Sequence, residues 1–313
     1  MNKADQAVTI NNCLTKSENG IILVNKPQGV TSNEVVQTIR KNIGIKIGHC
    51  GTLDPLATGL LIACVGKGTK ISNYIMSLEK EYLALIQLGE ERDTDDEMGI
   101  TIEKSDVQVT EKQIHDVLMQ FEGDINQMPP QFSAIKVNGK RAYSVARKGE
   151  TVSLTSRNVK IYDYQLISFQ NQQITLRVVC SRGTYIRSLA RDIGRKLGTY
   201  GYLKELKRLR IGKFKYNDVN SVQDYSNFSY DMLNDKLISI YQSLYFFPYL
   251  IVKENIEKKV FHGQQLSKMD FINSEILNDE INANYKLVDS NYKVLAIIDC
   301  NLKYLNVFHY EDL

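Results

Sequence analysis

The sequence predicts an α+β protein with a small β-rich module at its C-terminal end, and three observations predict it. Short apolar runs bounded by Gly, Pro or Asn, such as Ile21 to Val24, Leu60 to Val65 and Ile174 to Cys180, have the length of strands. Between them lie segments whose apolar residues recur at helical spacing: Ile114, Val117, Leu118 and Phe121, then Ile186, Leu189, Ala190, Ile193 and Leu197. Beyond Pro248 the pattern is mostly strand.

Ile21 to Val24 reads as a buried strand, stopped by the turn Asn25-Lys26-Pro27-Gln28-Gly29. Thr31 and Glu34 have the spacing of a capping box, so a helix starts there with Val35, Val36 and Ile39 on its apolar side. A Gly-bounded turn, His49-Cys50-Gly51-Thr52-Leu53-Asp54-Pro55-Leu56-Ala57-Thr58-Gly59, then feeds the central strand Leu60 to Val65. Thr69 to Leu78 reads as a helix. Leu83 to Gly89 reads as a strand entered through Glu79-Lys80-Glu81-Tyr82. Glu90 to Gly99 is an acidic loop lacking the acid spacing and closing Glu of an EF-hand. Thr110 caps a helix that Gly123 ends. Asp124 to Gly149 has little periodicity and reads as an excursion out of the sheet. Val159 to Phe169 and Ile174 to Cys180 form a hairpin turning near Asn171. Ser181-Arg182-Gly183-Thr184-Tyr185 opens a helix that Gly198 stops, and Leu206 to Phe214 is a strand with a basic outer face. A helix near Asn234 to Leu244 precedes a boundary at Pro248. The terminal module is built from Val260 to Leu266, Tyr285 to Asp289, Tyr292 to Asp299 and Tyr304 to Tyr310.

With 313 residues, 43% hydrophobic and 24% charged, the chain has the composition of a soluble globular protein rather than a disordered one. Met1 to Glu18 lacks the apolar core of a secretory signal. The longest greasy stretch, Tyr241 to Val252, is too short to span a bilayer, so a cytoplasmic location without a membrane partner is expected. The five cysteines are scattered, with no Cys-x-x-Cys, and no His-Glu-x-x-His pair occurs. Neither a disulfide framework nor a metal site is expected.

A net charge of +3 announces no polyanion, but its distribution does. Arg182 to Lys215 is dense in Lys and Arg against only Asp192 and Glu205, and Lys136 to Lys160 is basic against Glu150. The compensating acid sits chiefly between Glu79 and Asp106. Segregation of this kind suggests a basic face for a nucleic acid. Arg187, Arg191 and Arg195 form a stripe on one helix face. Arg187 lies in the first turn, where the macrodipole disfavours a cation, so something negative is expected to face it. Asp54 is the candidate: Pro55 fixes the turn, and a guanidinium nearby would keep the carboxylate charged.

In order along residues 20 to 215, Val24-Asn25-Lys26-Pro27-Gln28-Gly29, the His49 to Leu61 turn, Lys80-Glu81-Tyr82, Gln127 to Gly149, Arg182-Gly183-Thr184-Tyr185-Ile186-Arg187 and Leu206 to Phe214 resemble the TruB-type tRNA pseudouridine synthases. The resemblance implies a mixed, mostly antiparallel central sheet with flanking helices over residues 20–245, an RNA-binding insertion at about 124–152, and a PUA-like RNA-binding module at 246–313, after a polar segment 1–19. It also implies isomerisation of uridine to pseudouridine at position 55 in the TΨC loop of tRNA, with no cofactor. Asp54 would be catalytic, by attack on the sugar or through a glycal. Tyr82 and Tyr185 would stack on the extruded base, Leu206 would pack on it, Arg187 would pair with Asp54, and His49 would fill the vacated loop. Lys136, Lys140, Arg141, Arg147, Lys148, Lys207, Arg208 and Arg210 would hold the RNA backbone. The T-arm stem-loop is the expected partner of a monomer with no obligate protein partner. The chain departs from the family pattern in its acidic loop, at Phe132 where Tyr is usual, and at Tyr304 where Pro is common. Two rivals remain: a non-catalytic RNA-binding protein on this fold, and a small-molecule hydrolase using Asp54 and His49, which lacks an evident second carboxylate.

Overall fold

The alternation of apolar runs and helical stripes resolves into one large sheet with helices packed on it. In the computed structural model, which describes residues 18–133, 135–137, 140–141, 145, 153–218, 221–277 and 283–310, the first half of the chain forms β1 (Gly20–Lys26), α1 (Ser32–Ile43), β2 (Ile47–His49), β3 (Thr58–Val65), α2 (Ser72–Ser77), β4 (Lys80–Leu88), β5 (Glu90–Arg92), β6 (Thr101–Lys104), α3 (Glu111–Leu118) and β7 (Gly123–Gln127). There follow β8 (Lys136–Val137), β9 (Lys140–Arg141), β10 (Arg157–Gln170), β11 (Gln173–Cys180), α4 (Ile186–Leu197), β12 (Gly201–Ile211), β13 (Phe214–Lys215), α5 (Tyr230–Lys236), β14 (Ile238–Ser239) and α6 (Ile240–Ser243). The terminal module adds β15 (Tyr249–Ile251), α7 (Ile256–Phe261), β16 (Asn284–Val288), β17 (Val294–Asp299) and β18 (Tyr304–Val307).

The main sheet runs β14-β1-β3-β12-β4-β11-β10-β7, with β2 and β13 on its flanks. Every pairing in it is antiparallel except β12 with β3. The local signals read in the sequence hold where they are strongest. Thr31 and Glu34 close a reciprocal capping box on α1. Asn171 and Gln172 take left-handed φ angles of 51° and 58° in the β10–β11 turn, the geometry that suits a two-residue hairpin. Gly198 stops α4 at φ 72°.

Elsewhere tertiary pairing overrides the local pattern. Residues 123–127 form β7 and pair with β10, so the excursion begins only after Gln127. Asn234 to Leu244 is no single helix: Ile238 pairs with Ile21 and extends the sheet by one edge strand between two short helices. Thr69 to Leu78 splits into a 3-10 turn and α2. Val260 to Leu266 is the end of α7 and a loop rather than a strand, since Val260 buries its side chain from a helix. The acidic loop is β5 and the turn that joins it to β6, and Glu91, Asp95 and Asp96 are buried in it.

The strand pattern beyond Pro248 produces a second sheet, β15-β16-β17-β18. This module is not a bead on a string. Val288, Val294, Ile297 and Phe308 share a core with Ile21 and Ile62 of the main sheet and with Ile71 and Ile75 of the 3-10 turn and α2, and the Tyr74 hydroxyl donates to Asn306 Oδ1 at 2.6 Å. Among the described residues no helix is long and apolar enough to cross a membrane.

Candidate active site

The Asp54 turn is held from three sides. Ala57 N donates to Asp54 O at 3.0 Å, closing a turn with Asp first and Pro second, positions each residue favours. The fully buried Lys26 donates from Nζ to Pro27 O and Val30 O, and more distantly to Pro55 O at 3.4 Å. Burial pushes its ammonium down to about 8, partly offset by the Asp54 charge. Ser32, buried in the first turn of α1, donates to Leu53 O at 3.0 Å and accepts from Leu53 N at 2.8 Å. No sequence signal marked Ser32 for this work. Ser32→Ala leaves both groups of Leu53 without that partner, so a loss of about 1–3 kcal/mol is expected in urea unfolding.

Across the cleft, α4 presents Arg187. Its Nε lies 2.9 Å from Asp54 Oδ2, with the N–H not aimed squarely at that oxygen, so the contact is an ion pair before it is a hydrogen bond. Its Nη1 donates to Thr94 O at 3.2 Å and lies 3.5 Å from Asp96 Oδ2, while Nη2 donates to Phe132 O at 3.0 Å. Burial raises the Asp96 carboxyl, with the Thr94 hydroxyl and the Arg187 charge pulling it back. The negative group required by a cation in the first helical turn is thus Asp54, with Asp96 behind it.

Arg191 and Arg195, read as a basic stripe, are neutralised by the acidic loop. Arg191 Nη1 meets Asp95 at 2.7 Å and Arg195 Nε donates to Glu91 at 2.7 Å. Segregated in sequence, these charges are adjacent in space.

A cleft of about 690 Å³, within the usual range for small-ligand sites, opens over the pair. Its wall includes Asp54, Arg187, Tyr82, Tyr185, Leu206 and Arg208, together with Lys80, Arg182, Asn73 and Met76, which the sequence reading did not single out as site residues. Gln127, at the end of β7, clamps the Tyr185 backbone: its amide donates to Tyr185 O at 3.0 Å and its carbonyl accepts from Tyr185 N at 2.8 Å. His49 lies in β2, paired with Ala63, and does not line the cleft. Its Nδ1 is buried without a partner, and burial followed by the Arg208 charge pushes the imidazole down, toward the neutral form.

The expected surface track needs correction at two positions. Arg208 is 1% exposed, donating from Nε to Leu60 O at 2.7 Å and from Nη2 to Gly51 O at 3.1 Å. Arg210 donates to Glu81 at 2.8 Å and Glu79 at 2.6 Å. The cause is a bulge: Arg208 pairs with Tyr82, whereas Arg210 pairs with Glu81, so two residues that simple alternation would place on one face end on opposite faces. Lys207 stays partly exposed, its ammonium 3.9 Å from the Tyr216 ring centre. Lys136, Lys140 and Arg141 belong to the β8–β9 hairpin, and Arg147 and Lys148 lie outside the described residues.

The TruB family pseudouridylate synthase N-terminal domain matches residues 37–186, and the tRNA pseudouridylate synthase B C-terminal domain matches residues 187–240. The tRNA pseudouridine synthase B of Francisella tularensis subsp. tularensis (strain WY96-3418) is 43% identical over 217 residues, covering 68% of this chain and 72% of that protein. The chain belongs to the TruB family of pseudouridylate synthases. The tRNA pseudouridine synthase B of Clostridium kluyveri is 36% identical over 279 residues, 89% of this TruB-family chain and 94% of that one. Among solved structures, a chain of the archaeal box H/ACA sRNP Nop10-Cbf5 complex superposes with a TM-score of 0.69 at 24% identity, covering 92% of this chain and 81% of that chain. A chain of a Cbf5-Nop10-Gar1 complex gives 0.70 at 23%, covering 93% and 84%. These two likenesses concern the fold. Within the TruB matches, Asp54, Tyr82 and Tyr185 fall in the first domain and Arg187, Leu206 and Arg208 in the second, so the central ion pair joins the two.

Proposed function

We propose that this TruB-family chain isomerises uridine to pseudouridine at position 55 of the TΨC loop of tRNA, acting as a monomer in the cytoplasm without an obligate protein partner. The observation that carries the reading is the Asp54–Arg187 pair at 2.9 Å in a cleft walled by Tyr82, Tyr185 and Leu206. Isomerisation breaks the glycosidic bond, turns the base and rejoins it through carbon, with no electrons gained or lost, so one carboxylate on the sugar side can serve. A base inside a stem-loop must be extruded to reach it, and the two tyrosines offer faces and hydroxyls to receive it. Asp54 attacks the sugar carbon or removes the neighbouring proton; both routes use the same oxygen. Residues 246–313 serve as a PUA-like RNA-binding module beside the catalytic sheet, and the 124–152 region contributes phosphate contacts.

The deciding experiment treats a tRNA transcript with the purified protein and maps pseudouridine. A single new pseudouridine at position 55, without a mass change, is expected. Intact binding without any pseudouridine would instead support the non-catalytic RNA-binding reading. Phosphate contacts make affinity fall with salt. Replacing the partly exposed Lys207 or the exposed Lys213 or Lys215 with Gln is expected to reduce the slope of log affinity against log salt by about 1 for each contact removed, in filter-binding titrations. Arg208→Gln and Arg210→Gln are expected to leave that slope unchanged, since both guanidinia are engaged within the protein.

A further inference from the structure

The cleft holds more positive charge than the pair of Asp54 and Arg187 accounts for. Lys80, Arg182, Arg187 and Arg208 stand in its wall against the carboxylate of Asp54. Arg187 faces Asp54, and Arg208 is turned to the carbonyls of Leu60 and Gly51. Lys80 and Arg182 are left over: among the described residues neither has a carboxylate within 4.0 Å. A cation kept near-buried without a counter-charge is costly, so an anion from outside the chain would gain what the chain does not supply.

The topology brings these two cations together beside the base-binding wall. Lys80 begins β4 directly opposite Cys180, the last residue of β11, and Arg182 follows two residues later, so both stand at the same end of the sheet. Lys80 and Tyr82 are two apart on β4 and share its buried face. Lys80 is 7% exposed, and its Nζ donates to Met76 O and Leu78 O. An ammonium has three N–H donors, so the two carbonyls fix the group and leave one donor over. Arg182 lies exposed on the rim, its guanidinium without a hydrogen-bond acceptor among the described residues. Burial, and after it the charges of Arg208 and Arg182, push the Lys80 ammonium down to about 8, the mark of like charges facing one another.

We propose that Lys80 and Arg182 form a phosphodiester subsite of the cleft, which holds a backbone phosphate next to the extruded uridine and so fixes the sugar against Asp54. This rests on the isomerase reading above. A nucleotide whose base lies against Tyr82 and whose sugar meets Asp54 carries a phosphate away from the sugar on either side, and one of them passes along the wall that Lys80 and Arg182 supply. The rigidly held ammonium gives a point charge and the guanidinium a fork, both suited to phosphate oxygens. The contact forms only once the nucleotide has left its stack. Its loss therefore appears in the rate of the bound complex rather than in the affinity for the whole tRNA, which the stem contacts dominate.

The test uses full-length tRNAs, assembled by ligation of a synthetic T-arm, in which the phosphate on the 5′ or the 3′ side of the target uridine is replaced by an uncharged methylphosphonate. Single-turnover rates are measured at saturating protein. One of the two replacements is expected to slow the unmodified protein by about tenfold to 10²-fold, the cost of a small misplacement at the reacting centre. Lys80→Met should be slowed by a similar factor on the all-phosphate tRNA, with filter-binding affinity within a few-fold of the unmodified protein. In that variant the sensitive methylphosphonate should cost less than about twofold more, since the two changes remove one interaction. Arg182→Gln, a change on the exposed rim where folding is not at stake, should blunt the same sensitivity in part. Undiminished sensitivity in both variants, or no slowing of the unmodified protein by either replacement, would overturn the proposal and leave Lys80 a brace between β4 and α2. Failure of the unmodified protein on the all-phosphate tRNA would instead remove the isomerase reading itself, a result distinguishable before any variant is made.

Discussion

Asp54→Asn is expected to lower the single-turnover rate of pseudouridine formation by more than about 10⁴-fold, the scale seen when a covalent or proton-transferring group is removed outright. The substitution keeps the shape of the side chain and the Asp-Pro turn. It removes the carboxylate that, in the proposed reaction, bonds the sugar carbon or takes its proton, because an amide is neither a nucleophile nor a base at neutral pH. Two other properties should barely move. The Asp54 side chain is about a third exposed, and Arg187 retains Thr94 O, Phe132 O and Asp96, so stability should change by no more than about 1 kcal/mol. Affinity for tRNA should stay within a few-fold, since loss of an anion in a cleft whose wall includes Lys80 and Arg182 does not weaken attraction for phosphate. Rapid-quench assays beside filter binding and thermal melts measure all three. A variant that binds and folds but retains a tenth of the rate would move the chemistry to another residue.

The ion pair was legible in the sequence for a specific reason: a cation in the first turn of a helix is out of place by itself, so Arg187 asked for an anion, and the Asp-Pro turn supplied one. The Thr31–Glu34 capping box, the Asn171 turn and the helix stop at Gly198 were legible because each is decided within a few residues. What was not legible depends on distant partners. Glu91, Asp95 and Asp96 read only as part of an acidic loop, yet they close on arginines about a hundred residues further along the chain. Arg208 and Arg210 read as one outer face because alternation was assumed through a strand that contains a bulge. Ser32 and Gln127 carry no local signature at all; each matters because a neighbour in space offers both a backbone donor and an acceptor. Ile238 fits a helical stripe as well as an edge strand, and the free edge beside Ile21 decided between them.

Arg187→Lys should show how far geometry, rather than charge, sets the rate. Lysine keeps the positive charge but offers one nitrogen where arginine offers a planar fork. In the native site that fork faces three directions: Nε toward Asp54, Nη1 toward Thr94 O and Asp96, and Nη2 toward Phe132 O. An ammonium on a shorter reach can satisfy one of these at a time. If it follows Asp96, the more buried of the two carboxylates, Asp54 is left to solvent and its orientation toward the sugar is lost. A fall of about 10² to 10³ in the chemical rate is expected, comparable to removing a preorganised electrostatic group, with tRNA affinity changed little because Arg187 is 4% exposed and faces carboxylates rather than the outer surface. Asp96→Asn in the same background supplies the control. With the competing carboxylate neutralised, the lysine is free to turn to Asp54, so the double variant should be faster than Arg187→Lys alone although it carries one more change. If it is slower by the product of the two single effects, Asp96 and Asp54 do not compete for one cation, and the three-cornered arrangement has no bearing on the rate.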